Sequence, residues 1–440
     1  MVSFAATRLA FCVLTGWMVL TLAADVYAQS SVSTLPTTPG LYVPGKLMFS
    51  PAEEAIYLER FQKGQAGQRT TATESYDPQE AVPGAKDWEP LPAAVANERT
   101  ISDEALNAAA DYAAANNSDA FIVWRRGKVE AESYYGGNSR QGSIISRSLA
   151  KPVTAVAVGR AIALGKITSL DQPVADFVTE WKKDVRRSKI LVRHLLDMRT
   201  GFLPQALAPQ AADILNRSYL HPRHDEIIVK EYPAVDAPGT RYEYNNATSE
   251  MVAVLIERAT GRRYAEFIST EIWQKIGALG GTVWINREGG TAHSGCCLMI
   301  PAESFLRLAI LMLQDGMWDN KRLLPVSYVK QMTKATKQNP HYGAGVYVAG
   351  KYTDRRGAAN PDRKVPKTWH SEPYLASDLY LFDGNANQVV YIVPSEQLIV
   401  LRTGSNPPKS ADKEWDNVAL PNTLMRGIVK SKGTSVAQPL

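Results

Sequence analysis

The sequence predicts an α+β fold in one large domain, and three observations carry that expectation. Stretches that read as strands lie near both ends of the folded part, at residues 121–135 and 379–403. Between them run segments whose apolar residues recur at helical spacing. No internal repeat divides the chain into modules. Strands so far apart in sequence bury their apolar faces together only if the first and last of them meet in one sheet.

The bulk numbers agree with a globular protein. The chain has 440 residues, 45% of them hydrophobic and 21% charged, with a formal net charge of +5. That charge is mild for the length, and no dense Lys/Arg cluster accompanies it, which argues against a nucleic-acid partner.

Taken in order, the chain opens with Arg8, an apolar run over residues 9–24 and the sequence Val26-Tyr27-Ala28. The run is shorter than the roughly 20 residues a membrane span needs. It reads as a secretory signal cleaved after Ala28, so the protein is expected to be secreted or periplasmic, with no stable membrane span after cleavage. Residues 29–98 are rich in Pro, Thr, Gly, Gln and Ala and read as an extended arm. The folded domain is expected over residues 99–432, with a short tail at 433–440.

Ser102 followed by Asp103 and Glu104 has the form of a helix N-cap with first-turn acids. That helix should reach Ala115 and end at Asn116-Asn117. Residues 121–135 read as a β-hairpin turning at Arg125-Arg126-Gly127-Lys128. Helices are expected over 148–164, 170–181, 192–198, 248–259 and 302–314, and strands over 379–382, 388–393 and 398–403. Residues 351–372 form a polar, Pro- and Arg-rich insertion, most simply a surface loop, with the rim of a pocket as the functional alternative. Beyond Cys12 in the signal, the cysteines are the adjacent Cys296 and Cys297. They can pair only with each other, in a strained ring, or stay reduced. Reduced and buried is the expectation.

The stretch from Ser146 to Lys166, SRSLAKPVTAVAVGRAIALGK, holds the chemistry. Ser148 stands at the mouth of a long apolar helix with Lys151 one turn on, close enough to lean over its hydroxyl. Pro152 is tolerated because the first turn of a helix has no N–H partners to lose. A serine becomes a nucleophile when a base takes its proton. A lysine can be that base if burial lowers its pKa. The same S-x-x-K spacing recurs at Ser327/Lys330 and Ser410/Lys413, but in polar stretches that read as surface.

A second element sharpens the choice. Tyr244-Asn245-Asn246 sits in a short loop before a helix, and Tyr244 is the only one of 19 tyrosines followed two residues later by Asn. A phenol there can relay a proton between the serine and a leaving group, and Asn246 can hold the lysine or a substrate carbonyl. Six histidines are present without H-E-x-x-H or other metal-ligand spacing, so no metal or cofactor is expected. The absence of G-x-S-x-G argues against an α/β-hydrolase.

Together these residues resemble the serine β-lactamase and penicillin-binding-protein superfamily, and within it the class C-like branch with esterases and 6-aminohexanoate-oligomer hydrolases. The resemblance runs from about Phe121 to Gly404. It includes ILVRHLLDMRTG from Ile190, GCCLMIPAESFLRLAILMLQDG from Gly295 and QVVYIVPSEQLIVLRTG from Gln388. It implies an antiparallel sheet flanked by helices, an all-α subdomain and an active site between them. It also implies catalytic roles for Ser148, Lys151 and Tyr244.

The third family motif is where the chain departs. In place of Lys-Thr-Gly, or the Gly-Gly form of the hydrolase branch, it reads Gly384-Asn385-Ala386-Asn387-Gln388. No cation or imidazole stands there to hold a β-lactam carboxylate. An Arg or Lys of the insertion, or His370, is the available substitute. An oxyanion hole from the backbone N–H groups of Ser148 and Gln388 survives the change. Asn246, Asn385, Asn387 and Gln388 are therefore the expected substrate-binding residues. The expected activity is hydrolysis of a small ester or amide through a serine-linked acyl-enzyme. The alternatives are a β-lactamase or D-amino-acid peptidase acting on a β-lactam or cell-wall peptide, and a catalytically silent binding protein on the same fold.

Overall fold

The computed structural model describes residues 47–64, 69–205, 208–357, 360–361, 367–408 and 414–429. The expected signal segment, the tail and the Ser410/Lys413 pair lie outside the described residues.

The main sheet has six antiparallel strands. Their spatial order is Lys128–Tyr134, Ser118–Arg125, Leu398–Gly404, Gln388–Val393, Tyr380–Gly384 and Tyr347–Val348. The first and last regions meet as expected: Phe121 lies opposite Arg402 and Val123 opposite Val400. Every residue of the three strands Ser118–Arg125, Gln388–Val393 and Leu398–Gly404 is buried, because both faces of the sheet are covered. Side chains alternate between the faces. Phe121 and Val123 pack with Leu106, Leu420 and Leu424 of the terminal helices Asp103–Ala115 and Ala419–Arg426. Ile122 and Trp124 join the larger core with Phe305 and Leu308 of the helix Ala302–Leu313.

A second, four-stranded sheet runs in the order Gln79–Val82, Gly281–Trp284, Leu298–Pro301, Ser143–Ile145. Its last strand leads directly into the Ser148 turn. The helices Ala150–Ala163 and Asn246–Thr260 pack beside each other in the helical region, and most of their residues are buried.

Three expectations need correction. Residues 29–98 are more than an extended arm: Pro51–Lys63 is a helix and Gln79–Val82 a strand. The helix has its own start signal, a capping box in which Ser50 and Glu53 exchange hydrogen bonds, with Pro51 next. Glu54 then ties it to Arg217 at 2.6 Å. Residues 170–181 form two short 3-10 turns, Val174–Asp176 and Thr179–Trp181, in place of a helix. Pro173 removes a donor mid-segment and biases Gln172 away from helical backbone, and Val174 N–H bonds Ile190 C=O instead. Cys296 and Cys297, expected reduced, form a disulfide with each other. Successive side chains of a regular strand point apart. Cys297 leaves that pattern with a φ of 72°.

Candidate active site

Ser146, just past the strand Ser143–Ile145, is buried and locked to the neighbouring strand. Its N–H donates to Leu298 C=O at 2.8 Å, and its Oγ accepts from Leu298 N–H at 3.0 Å. Arg147 follows with a φ of 49°, a backbone region that side chains rarely adopt. This sharp turn lifts Ser148 into a 3-10 turn, Arg147–Leu149, that runs straight into the helix Ala150–Ala163.

Lys151 lies one turn along. Its Nζ sits 3.1 Å from Ser148 Oγ, 3.1 Å from Asn246 Oδ1 and 2.9 Å from Gly295 C=O, donating toward all three acceptors. It also stands 4.7 Å over the Tyr244 ring. Only 3% of the residue is exposed. Burial drives its pKa well below the ordinary lysine value, and the charge of Glu250 opposes part of that shift. The amine is thus brought toward the neutral form that can take a proton.

Tyr244 OH donates to Ser148 Oγ at 2.7 Å. Burial raises its pKa strongly, against the lowering effect of the bond to Ser148. The group remains a protonated phenol at neutral pH and acts as a donor. The two asparagines after it divide the labour. Asn245 caps the helix Asn246–Thr260 by accepting from Thr248 N–H at 3.2 Å, and Asn246 turns its Oδ1 to Lys151.

The Gly384–Gln388 segment closes the other side. Gly384 ends its strand against the serine turn, where an added Cβ would fall 3.2 Å from Leu149 N and 3.3 Å from Ser146 O. Small size is what this position requires. Ala386 and Asn387 both take left-handed backbone, with φ of 68° and 56°. Asn adopts that region more readily than most residues, which accounts for Asn387 where a glycine was expected. Of the four predicted binding residues, the structure brings Asn246 to the lysine. Asn385 is exposed, and its Oδ1 accepts from Ala386 N–H at 2.9 Å. The side chain of Gln388 departs from expectation: it is buried and donates to Ile145 C=O at 3.0 Å, bracing the serine strand from below.

Sequence reasoning missed several residues. The buried Arg402 holds the turn from behind, donating from Nη1 to Ala386 C=O at 2.6 Å and Asn387 C=O at 3.0 Å. Arg356, from the insertion, is 4% exposed, pairs with Asp383 of the strand beside the site and lies 4.0 Å over the Tyr347 ring. Tyr347 packs on Tyr342, which packs on Tyr244. The insertion therefore reaches the site's wall as well as the surface. His370 faces elsewhere, toward Tyr374 and Asn417. Glu250 follows Asn246 by four residues on one helix face, and that spacing was the signal that could have found it. His224, Glu250 and His293 come together despite the lack of any metal-like spacing in the sequence.

The comparisons with known proteins agree with this geometry. The Beta-lactamase family matches residues 106–422. A 6-aminohexanoate-dimer hydrolase of Paenarthrobacter ureafaciens is 26% identical over 227 residues, 49% of this chain and 57% of that protein. The match thus spans little more than half the length of that relative. Among solved structures, one from Bacillus anthracis assigned as a 6-aminohexanoate-dimer hydrolase superposes with a TM-score of 0.61 at 18% identity, covering 86% of this chain and 94% of the other. The octameric penicillin-binding protein homologue from Pyrococcus abyssi gives 0.52 at 15% identity, covering 74% and 77%. These two show the shared fold.

The chain has the β-lactamase/transpeptidase-like fold, with antiparallel sheets and helices. It belongs to the Beta-lactamase family, as its match over residues 106–422 shows. Among the described residues no helix is long and apolar enough to cross a membrane.

Proposed function

We propose that this is an exported hydrolase of small esters or amides that works through an acyl-enzyme on Ser148. The observation that carries the reading is the pair of contacts on one hydroxyl: Tyr244 OH at 2.7 Å and the buried Lys151 Nζ at 3.1 Å. Ser148 Oγ attacks the substrate carbonyl and its proton passes to Lys151. Tyr244 donates a proton to the departing alcohol or amine and is reprotonated through the serine–lysine network. Water then attacks the acyl-serine, with its proton taken by the same groups, and the acid leaves. The backbone N–H of Ser148, with one from the Asn385–Gln388 segment, is the proposed oxyanion hole. Asn246 and Gly295 C=O hold Lys151 in line.

The absence of a cation at Asn385 favours a neutral acyl group over a β-lactam carboxylate. The relative named as a 6-aminohexanoate-dimer hydrolase supports short linear amides. The apolar run before Ala28 supports export. The test is turnover of a short-chain p-nitrophenyl ester, a short linear amide and a chromogenic cephalosporin by the protein and by Ser148→Ala. Ester or amide turnover lost in the variant is expected. Turnover that survives in Ser148→Ala overturns the nucleophile. Cephalosporin turnover above ester and amide turnover overturns the substrate reading.

A further inference from the structure

Three titratable side chains meet beneath Lys151 and take no part in the mechanism above. His224 opens the helix His224–Lys230, Glu250 lies in the second turn of the helix Asn246–Thr260, and His293 sits in the loop before the strand Leu298–Pro301. Each is at most 1% exposed. Both ring nitrogens of each histidine and both oxygens of Glu250 lack a hydrogen-bond partner among the described residues. The amides of Ser294 and Gly295 lie near enough to bias Glu250 toward its charged form, but neither closes a bond to it. Six orphaned polar atoms in one buried spot are rare in native proteins and call for a common partner.

The donor atoms are arranged around a point. Glu250 Oε2 is 4.0 Å from His224 Nε2 and 3.8 Å from His293 Nδ1, and all three groups offer an atom within 4.8 Å of the others. These separations are too long for hydrogen bonds. With zinc bonds of roughly 2.0–2.2 Å, tetrahedral donors stand about 3.4 Å apart, so the two histidine–carboxylate separations must close by about half an ångström and the third, within 4.8 Å, by more. The rings are held in a stack, Trp284 3.7 Å from His293 and His293 4.1 Å from His224 and nearly parallel to it, so one imidazole must turn out of that stack for both to direct a lone pair at one ion. A cavity of about 310 Å³ touches the same three segments through Asp225, Val254 and Thr291, and its wall carries four carboxylates against two cations.

We propose that His224, Glu250 and His293 bind one divalent first-row transition metal, zinc being best suited to two imidazoles and a carboxylate. The ion would tie two helices to the His293–Gly295 loop. That loop is already pressed on the Glu250 helix, since a Cβ added at Gly295 would stand 2.4 Å from Ser249 Cβ and 3.2 Å from Glu250 Oε1. Gly295 C=O in turn receives Lys151 Nζ. The ion is thus a structural brace one residue removed from the proposed base.

The test is elemental analysis of the full chain purified without chelator, then chelator treatment and titration with zinc chloride followed by calorimetry and thermal melting. About one equivalent of a first-row metal per chain, lost with chelator and restored with zinc alongside a rise of several degrees in Tm, is expected. His293→Asn and Glu250→Gln should lose the metal, while His370→Asn, away from the cluster, should keep it. Should the cluster variants fail to fold, cobalt(II) added to the stripped wild type supplies the readout, through visible absorption of a tetrahedral nitrogen/oxygen site. Wild-type protein that holds no metal as purified and shows neither uptake nor a melting shift with zinc overturns the proposal and assigns the spot to a bridging water. Uptake that persists undiminished in folded His293→Asn and Glu250→Gln overturns it as well.

Discussion

Two regions of this molecule carry the same four-residue spacing and do opposite things with it. Ser148 and Lys151 stand where a strand of the second sheet turns into a helix whose residues are nearly all buried, and Lys151 has lost its water. Ser327 and Lys330 are exposed, on a five-residue helix, Tyr328–Met332, that Ser327 precedes with a φ of 61°. The second lysine keeps its hydration. The comparison teaches that S-x-x-K is a geometric permission, and that desolvation together with a phenol and an amide from another helix makes it chemistry.

The largest effect should come from exchanging the serines. Ser148→Ala is expected to lower kcat/KM for the best ester or amide by at least about 10³-fold, while Ser327→Ala leaves it unchanged. Equal losses in both, with folding intact, would break the comparison. Next come the lysines. Lys151→Met should cost about 10²–10⁴-fold in kcat and Lys330→Met nothing, measured on the same substrate.

The pH profile sharpens the physical cause. In the proposed mechanism Lys151 works as a neutral amine, so activity should rise with pH as the amine loses its proton. Burial lowers its pKa, so the midpoint of that rise should fall well below the ordinary lysine value of 10.5. A midpoint at the ordinary value would remove burial from the explanation. The smallest effect concerns the brace under the turn. Gln388→Leu deletes the donor to Ile145 C=O and should cost about 1–3 kcal/mol of stability, read as a drop of a few degrees in Tm, with a modest loss of kcat.

What the sequence made legible was local or periodic. Ser148 and Lys151 are a turn apart on one helix, Tyr244 and Asn246 flank one cap, and the strands of both ends announce themselves by composition. The pairing of those ends followed from the need to bury them. What stayed hidden depended on long-range approach. Arg356 meets Asp383 across 27 positions, and His224, Glu250 and His293 come from three separate segments. The Cys296–Cys297 bond turned on a backbone angle that spacing alone does not reveal. The helix Pro51–Lys63 was legible in principle, through Ser50 and Glu53, but the biased composition around it masked its cap.

The order of strands in the main sheet also bears on when this protein can fold. Leu398–Gly404 lies between the hairpin of Ser118–Tyr134 and the strands Gln388–Val393 and Tyr380–Gly384, so the strand that joins the halves is the last of the six to be synthesised. Until residue 404 is available, the early hairpin has no partner on its inner edge. The pairing sets Phe121 against Arg402, most of the chain's length apart, and forms late for reasons of loop entropy alone. Synthesis therefore delivers a long, unclosed chain, and the native sheet is assembled in a final step rather than grown from its N-terminus. Any truncation ahead of Leu398 removes the keystone strand, leaving two sheet fragments with open edges and a strong tendency to aggregate.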